Sequence, residues 1–274
     1  MRTVLLRLVF ILVSAWGLLY PFLSTPPEHE TEITEVDEKP VQPPKVEEKP
    51  LHNVKLPDFG EIQDVALKKK AFFDFIKPHV IAENKKILEE RATLEIALMM
   101  VQFEEPLTKA QKKKIAKIFE KYKLVADSNF SQERLQAALK RVDVIPRELA
   151  LMQAANESAW GTSRFARIGL NFFGQWCYKK GCGMVPQHRD DEAAHEVAAF
   201  KSVQEAVGSY FRNINTNRAY RELRELRAQM RAEKRTIDAT ELARGLHSYS
   251  ERGSDYIDEL SDMIRHNQVY FDEK

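Results

Sequence analysis

The sequence predicts a mainly α protein with a small β lobe (α+β), and three observations carry that expectation. Apolar residues recur at one-face helical spacing through most of the chain from Val65 onward. That spacing lapses between Gly174 and Phe200, where turn residues surround a short apolar run. Helix-opening patterns then return at Ser202 and Asp238. With 274 residues there is material for one good-sized domain plus appendages. The net charge of +1 gives no case for a nucleic-acid partner.

Residues 1–23 read as a signal peptide or an N-terminal membrane anchor. Arg2 and Arg7 precede an apolar run, and Leu8 to Pro27 carry no charge, close to the ~20 residues a helix needs to cross a bilayer. Positive charge ahead of the run keeps the N-terminus cytoplasmic and sends the remainder across. Val13-Ser14-Ala15 has the small residues of a cleavage site, but the apolar run continues past it. An inner-membrane anchor at residues 8–23 with a periplasmic domain is the expectation. Residues 24–56 then form a linker: Ser24 to Pro50 contains six prolines and seven glutamates, too little apolar surface to offset chain entropy.

Residues 57–134 read as a helical annex. Val65, Ala66, Phe72, Phe73, Phe75 and Ile76 mark a helix that Pro78 is expected to kink or end, with a second helix over Leu88–Phe103. Thr108 and Gln111 make a capping pattern; Ile115, Ile118, Phe119 and Tyr122 follow on one face, and Lys109 to Lys117 supply the solvated side. Leu135, Ala138, Leu139 and Val142 repeat the pattern in the next helix.

Pro146 suits the first turn of a helix, nothing from Arg147 to Ala159 breaks it, and Gly161 can end it. Gln153, Glu157 and Trp160 then share one face. A carboxyl beside an indole at the end of an apolar helix tends to keep its proton near neutral pH, as a general acid requires. Gly174 to Phe200 reads as a small β-hairpin lobe. Ser202 and Glu205 cap a helix with Val203, Ala206, Val207, Tyr210 and Phe211 inward; Tyr220 to Arg235 reads as a charged, mostly solvated helix; Asp238 and Glu241 cap another. A loop over Tyr249–Tyr256 leads to a final helix carrying Ile257, Leu260 and Ile264.

Four segments in order resemble the glucosaminidase family (mannosyl-glycoprotein endo-β-N-acetylglucosaminidase-like). Glu157-Ser158-Ala159-Trp160-Gly161 matches the family's Glu-Ser-x-Trp-Gly. Leu170-Asn171-Phe172-Phe173-Gly174 is similar to its Asn-Asn-Leu-Phe-Gly, with Leu and Phe substituted at the first and third positions. Ala199 to Val203 and Tyr249 to Tyr256 resemble two later motifs, the last with a longer interior. The resemblance covers Leu135 to Phe271. It implies a lysozyme-like two-lobe domain over 135–274, no cofactor, and hydrolysis of the N-acetylglucosaminyl-β-1,4-N-acetylmuramic acid bond in peptidoglycan glycan strands.

Within that resemblance Glu157 aligns with the general acid, and Tyr249 is placed to orient the substrate's acetamido group or a water. Asp190, Asp191, Glu192 and Glu196 are the available second carboxylates; a substrate-assisted route needs none of them. Gln153, Trp160, Asn171, Phe173, Trp176 and Tyr256 are candidate substrate contacts. Two other readings stay open: a lytic transglycosylase, since those enzymes also use Glu-Ser, and an inactive peptidoglycan-binding protein of the same fold. Cys177 and Cys182, with four residues between them, form a disulfide by default in an exported chain. Their alternative is a metal site with His188 and His195.

Overall fold

The structure is a computed structural model, and it describes residues 48–125, 129–186, 195–247, 249 and 253–271. The predicted membrane anchor, most of the linker, and Asp190, Asp191, Glu192 and His188 lie outside the described residues. Among the described residues no helix is long and apolar enough to cross a membrane. The fold is mainly helical with one small antiparallel sheet, as the sequence predicts.

Helix α1 (Val65–Gln102) opens at Asp64, whose side chain accepts from the Leu67 N–H at 2.8 Å. It runs unbroken through Pro78, where the sequence predicts a kink or an end. An interior proline costs about 3 kcal/mol. Phe72, Phe73, Ile76 and Val80 on either side of it are all fully buried, and each such side chain returns roughly 1.5–3 kcal/mol. Packing therefore outweighs the lost hydrogen bond. Helices α2 (Lys109–Lys121) and α3 (Gln132–Arg141) follow, with Thr108 and Gln111 forming the reciprocal capping box and Lys109 to Lys117 on the exposed side.

Helix α4 (Arg147–Glu157) is the centre of the body. Leu149 through Ala155 are buried without interruption, so the helix is enclosed on all faces. α1 packs on α3, on α4 and on α6 (Val203–Thr216), and one core holds Phe72 and Phe73 together with Leu151, Phe172 and Tyr210. The segment expected as an annex thus contributes to the central core. The end of the expected linker is also seated: Leu51 N–H donates to the Ile168 carbonyl at 2.9 Å, and Glu48 pairs with Arg164 at 2.7 Å.

Helix α7 (Arg221–Ala232) departs from its predicted solvation. Arg227 is fully buried and donates to the Lys140, Asp143 and Val144 carbonyls at 3.2, 3.1 and 2.8 Å. These carbonyls lie at and beyond the end of α3, where a helix leaves acceptors unpaired. Asp143 answers the charge: it accepts from Arg231 at 2.8 and 3.1 Å and pairs with Arg91 at 3.2 Å. Helices α8 (Ala239–Ala243), α9 (Ser254–His266) and α10 (Gln268–Phe271) close the body, with α9 and α10 against α4.

After α5 (Arg164–Gly169) come β1 (Trp176–Cys177), β2 (Gly183–Met184) and β3 (Glu196–Ala198). The order is β1-β3-β2, with Trp176 opposite Val197 and Gly183 opposite Ala198, so the expected hairpin is a three-stranded sheet with the last strand in the middle. Glu196 imposes this order. Its buried carboxylate accepts from the Gly181 and Gly183 N–H groups, both at 2.9 Å, clasping the turn before β2 onto β3. A Cβ on Gly183 would stand 1.9 Å from the Val197 carbonyl oxygen, so that approach admits only glycine.

Candidate active site

The Glu-Ser-x-Trp-Gly motif is a helix terminus built to end at its first residue. α4 stops at Glu157, not at Gly161, because Ala159, Trp160 and Gly161 take consecutive positive φ values of 49°, 57° and 80°. Ser158 holds the turn: its hydroxyl donates to the Ala154 carbonyl at 2.6 Å and accepts from the Gly161 N–H at 2.9 Å. Gly161 meets the Phe59 ring, where an added Cβ would lie 2.4 Å from Cδ2.

That turn separates Trp160 from the helical face it was predicted to share with Glu157. Its ring packs edge-on against Phe72 and Phe73 at 5.8 and 5.5 Å, with Lys69 Nζ 5.3 Å above it. Trp160 is a partly buried anchor on α1.

Glu157 remains half-buried where the motif meets the next one: an added Cβ on Gly174 would lie 3.4 Å from its Oε2. Burial raises the Glu157 carboxyl above its ordinary value, and a hydrogen bond from Tyr256 opposes part of that rise. The Tyr256 hydroxyl donates to Glu157 Oε1 at 3.5 Å and accepts from Gln153 Nε2 at 3.2 Å; Gln153 Oε1 in turn accepts from Tyr210. Gln153 and Tyr256, predicted as substrate contacts, are buried members of this relay.

Asn171 is likewise buried. Its amide donates to the Gln175 and Ala198 carbonyls at 2.7 and 2.8 Å and accepts from the Gln175 N–H at 2.9 Å, tying the loop to β3. It shapes the loop beside the site. The Phe173 ring is stacked on Tyr210 at 4.1 Å and 10°, and the Phe173 carbonyl accepts from the Tyr249 hydroxyl at 3.1 Å. Tyr249 stacks on Tyr256 at 5.5 Å; burial, then the nearby Glu157, holds its phenol well above the ordinary value, so it stays protonated.

Glu157 and Tyr249 open onto a cleft of about 740 Å³. Gly174, Gln175, Trp176 and Tyr178 bring the β lobe to its edge, and Trp176 is half exposed. Facing residues come from α6 and beyond: Ser209, Arg212, Asn213, Thr216 and Asn217, with Tyr220 and Lys123. None of this second group stands out in the sequence. Their spacing of three and four residues is that of an ordinary polar face opposite Val203, Ala206, Val207, Tyr210 and Phe211, and only the position of the β lobe turns that face into a wall.

Glu196 is removed from the set of cleft carboxylates, since both its oxygens serve the lobe's own backbone. Cys177 and Cys182 form the expected disulfide, with Cα atoms 6.3 Å apart. Their sulfurs lie within 4.8 Å of a Glu196 oxygen, but a disulfide offers no thiolate for a metal, which removes the alternative involving His195. The His195 ring instead lies 3.9 Å from that of Trp176.

The Glu157 carboxyl, its protonated form favoured by burial, thus stands at a helix end above an open polar cleft. The chain belongs to the glucosaminidase family, described as mannosyl-glycoprotein endo-beta-N-acetylglucosaminidase, which residues 132–269 match. It is also similar to Protein bax of Escherichia coli (strain K12), at 32% identity over 213 residues, 78% of this chain and 74% of that protein. No solved structure matches the chain significantly. Family membership makes the chemistry that of a glycoside hydrolase.

Proposed function

We propose that this chain is a peptidoglycan hydrolase that cleaves the N-acetylglucosaminyl-β-1,4-N-acetylmuramic acid bond with Glu157 as general acid. The observation that carries the reading is Glu157 itself: among the described residues it is the carboxyl lining the cleft, and burial favours its protonated form. Its proton goes to the leaving glycosidic oxygen as the bond to the anomeric carbon breaks. In this reading the substrate's own acetamido oxygen attacks the anomeric carbon, a route that needs no second protein carboxylate beside Glu157. Tyr249 donates its proton to the Phe173 carbonyl, and its oxygen keeps lone pairs to accept the acetamido N–H and orient that group. Water then opens the cyclic intermediate while Glu157, now a carboxylate, takes a proton from it and is regenerated.

We further propose that the activity is periplasmic and tethered to the inner membrane, a reading supported by the uncharged apolar run at residues 8–23 and the Pro/Glu-rich linker that follows it. Glu157→Gln tests the central assignment: release of soluble fragments from purified sacculi falls by about 10²–10⁴-fold. Equal release by variant and wild type contradicts it. A variant with Asp190→Asn, Asp191→Asn and Glu192→Gln keeps its activity under the substrate-assisted route, and loss comparable to Glu157→Gln would move the second role to that loop.

A further inference from the structure

We propose that Lys123 and Arg212 form a carboxylate-binding element of the cleft that recognises the carboxylates of the peptide stems, or the lactyl carboxylate of muramic acid where the stem has been removed. The inference rests on the peptidoglycan reading and adds to it the feature that distinguishes this polymer from neutral N-acetylglucosamine chains. Among the described residues lining the cleft, Lys123 and Arg212 are the cations and Glu157 is the acid. Two cations against a single acid, whose charged form burial disfavours, leave the described lining with an excess of positive charge.

Both cations are exposed, and neither side chain has an ion pair with a described carboxylate. Their neighbours differ. Arg224 donates to the Ile214 and Asn217 carbonyls at 2.7 and 2.8 Å, and Arg141 donates to the Tyr122 and Lys123 carbonyls at 2.8 and 2.9 Å. Arg141 thereby fixes the left-handed turn at Lys123 (φ 54°) that presents this side chain to the cleft. Arg212 stands on the rigid wall of α6, within one helical turn of Ser209, Asn213 and Thr216. These hydroxyls and amides suit sugar hydroxyls, and the guanidinium suits a carboxylate in bidentate geometry.

The test is a binding cycle in the Glu157→Gln background, so that strand cleavage does not consume the ligand. Co-sedimentation with purified sacculi weakens about tenfold in Lys123→Ala/Arg212→Ala. Converting the sacculus carboxyls to amides weakens binding by a similar factor, and the two changes together cost no more than either alone. Lys112→Ala, which removes an exposed charge of α2 outside the cleft, leaves binding within about twofold. Stripping the peptide frees the lactyl carboxylate, so charge dependence retained on stripped strands extends the recognition to that group, and its loss there confines the recognition to the stems. Additive losses, no loss, or an equal loss in Lys112→Ala overturns the proposal. Because the cycle reads binding alone, failure of wild type to release fragments would count against the hydrolase reading and not against this one.

Discussion

At the scale of single residues, burial favours the protonated form of Glu157 and the Tyr256 hydrogen bond opposes it. The Tyr256 hydrogen bond favours the carboxylate, so Tyr256→Phe raises the Glu157 pKa further. Activity that needs the protonated acid then persists to higher pH, and the alkaline limb of the pH–rate profile moves upward. A limb that stays in place or moves down would show that Tyr256 does not act on the acid. The sequence exposes Glu157 by its motif, but it does not show what surrounds it. Trp160 looked adjacent because helical spacing extrapolates through Ala159, whereas two non-glycine residues at positive φ end the helix there. Gln153, Asn171 and Tyr256 are expected from the sequence as substrate contacts, which does not show their depth; each is buried, with its polar atoms engaged by protein partners.

At the scale of elements, the helices whose caps the sequence spells out start where expected, as at Thr108, Ser202 and Asp238. Local chemistry decides those positions. Pro78 is the reverse case, since the local cost is real and the surrounding phenylalanines outweigh it. The β lobe was legible as a change of period, while its strand order depends on Glu196 reaching two backbone N–H groups across the turn. The Cys177–Cys182 disulfide closes that same turn beside Trp176. Cys177→Ser/Cys182→Ser releases a short loop and lowers stability by roughly 2 kcal/mol by loop-closure entropy. Denaturant unfolding of the two forms measures this, and the loosened Trp176 edge raises KM on glycan substrates. Unchanged stability and KM would mean that the sheet alone fixes the lobe.

At the scale of the whole molecule, Asp143 links three helices: it binds Arg91 of α1 and Arg231 of α7, and faces the buried Arg227 beneath the end of α3. Burial alone would raise its carboxyl, but the Arg231 hydrogen bond and the charges of Arg227, Arg91 and Arg231 hold it below the ordinary value. The folded pKa is the lower one. Its contribution is therefore complete above the unfolded value of about 3.9 and is lost as pH falls through the folded value. Asp143→Ala leaves Arg227 buried without its counter-charge and costs about 3–5 kcal/mol; a loss below about 1 kcal/mol in urea unfolding would show that the carbonyls suffice. This cluster also explains why the charged helix Tyr220–Arg235 misled as a solvated element. Charge patterning marks exposure only when no buried acceptor waits for it.

The same body carries Glu157 into the cleft, and the chemistry of the bond cut there is the most direct test of the account. Mass analysis of fragments from purified sacculi is predicted to find new reducing ends at N-acetylglucosamine with wild type and none with Glu157→Gln. Anhydro-muramic ends, or identical fragments from the two proteins, would contradict it.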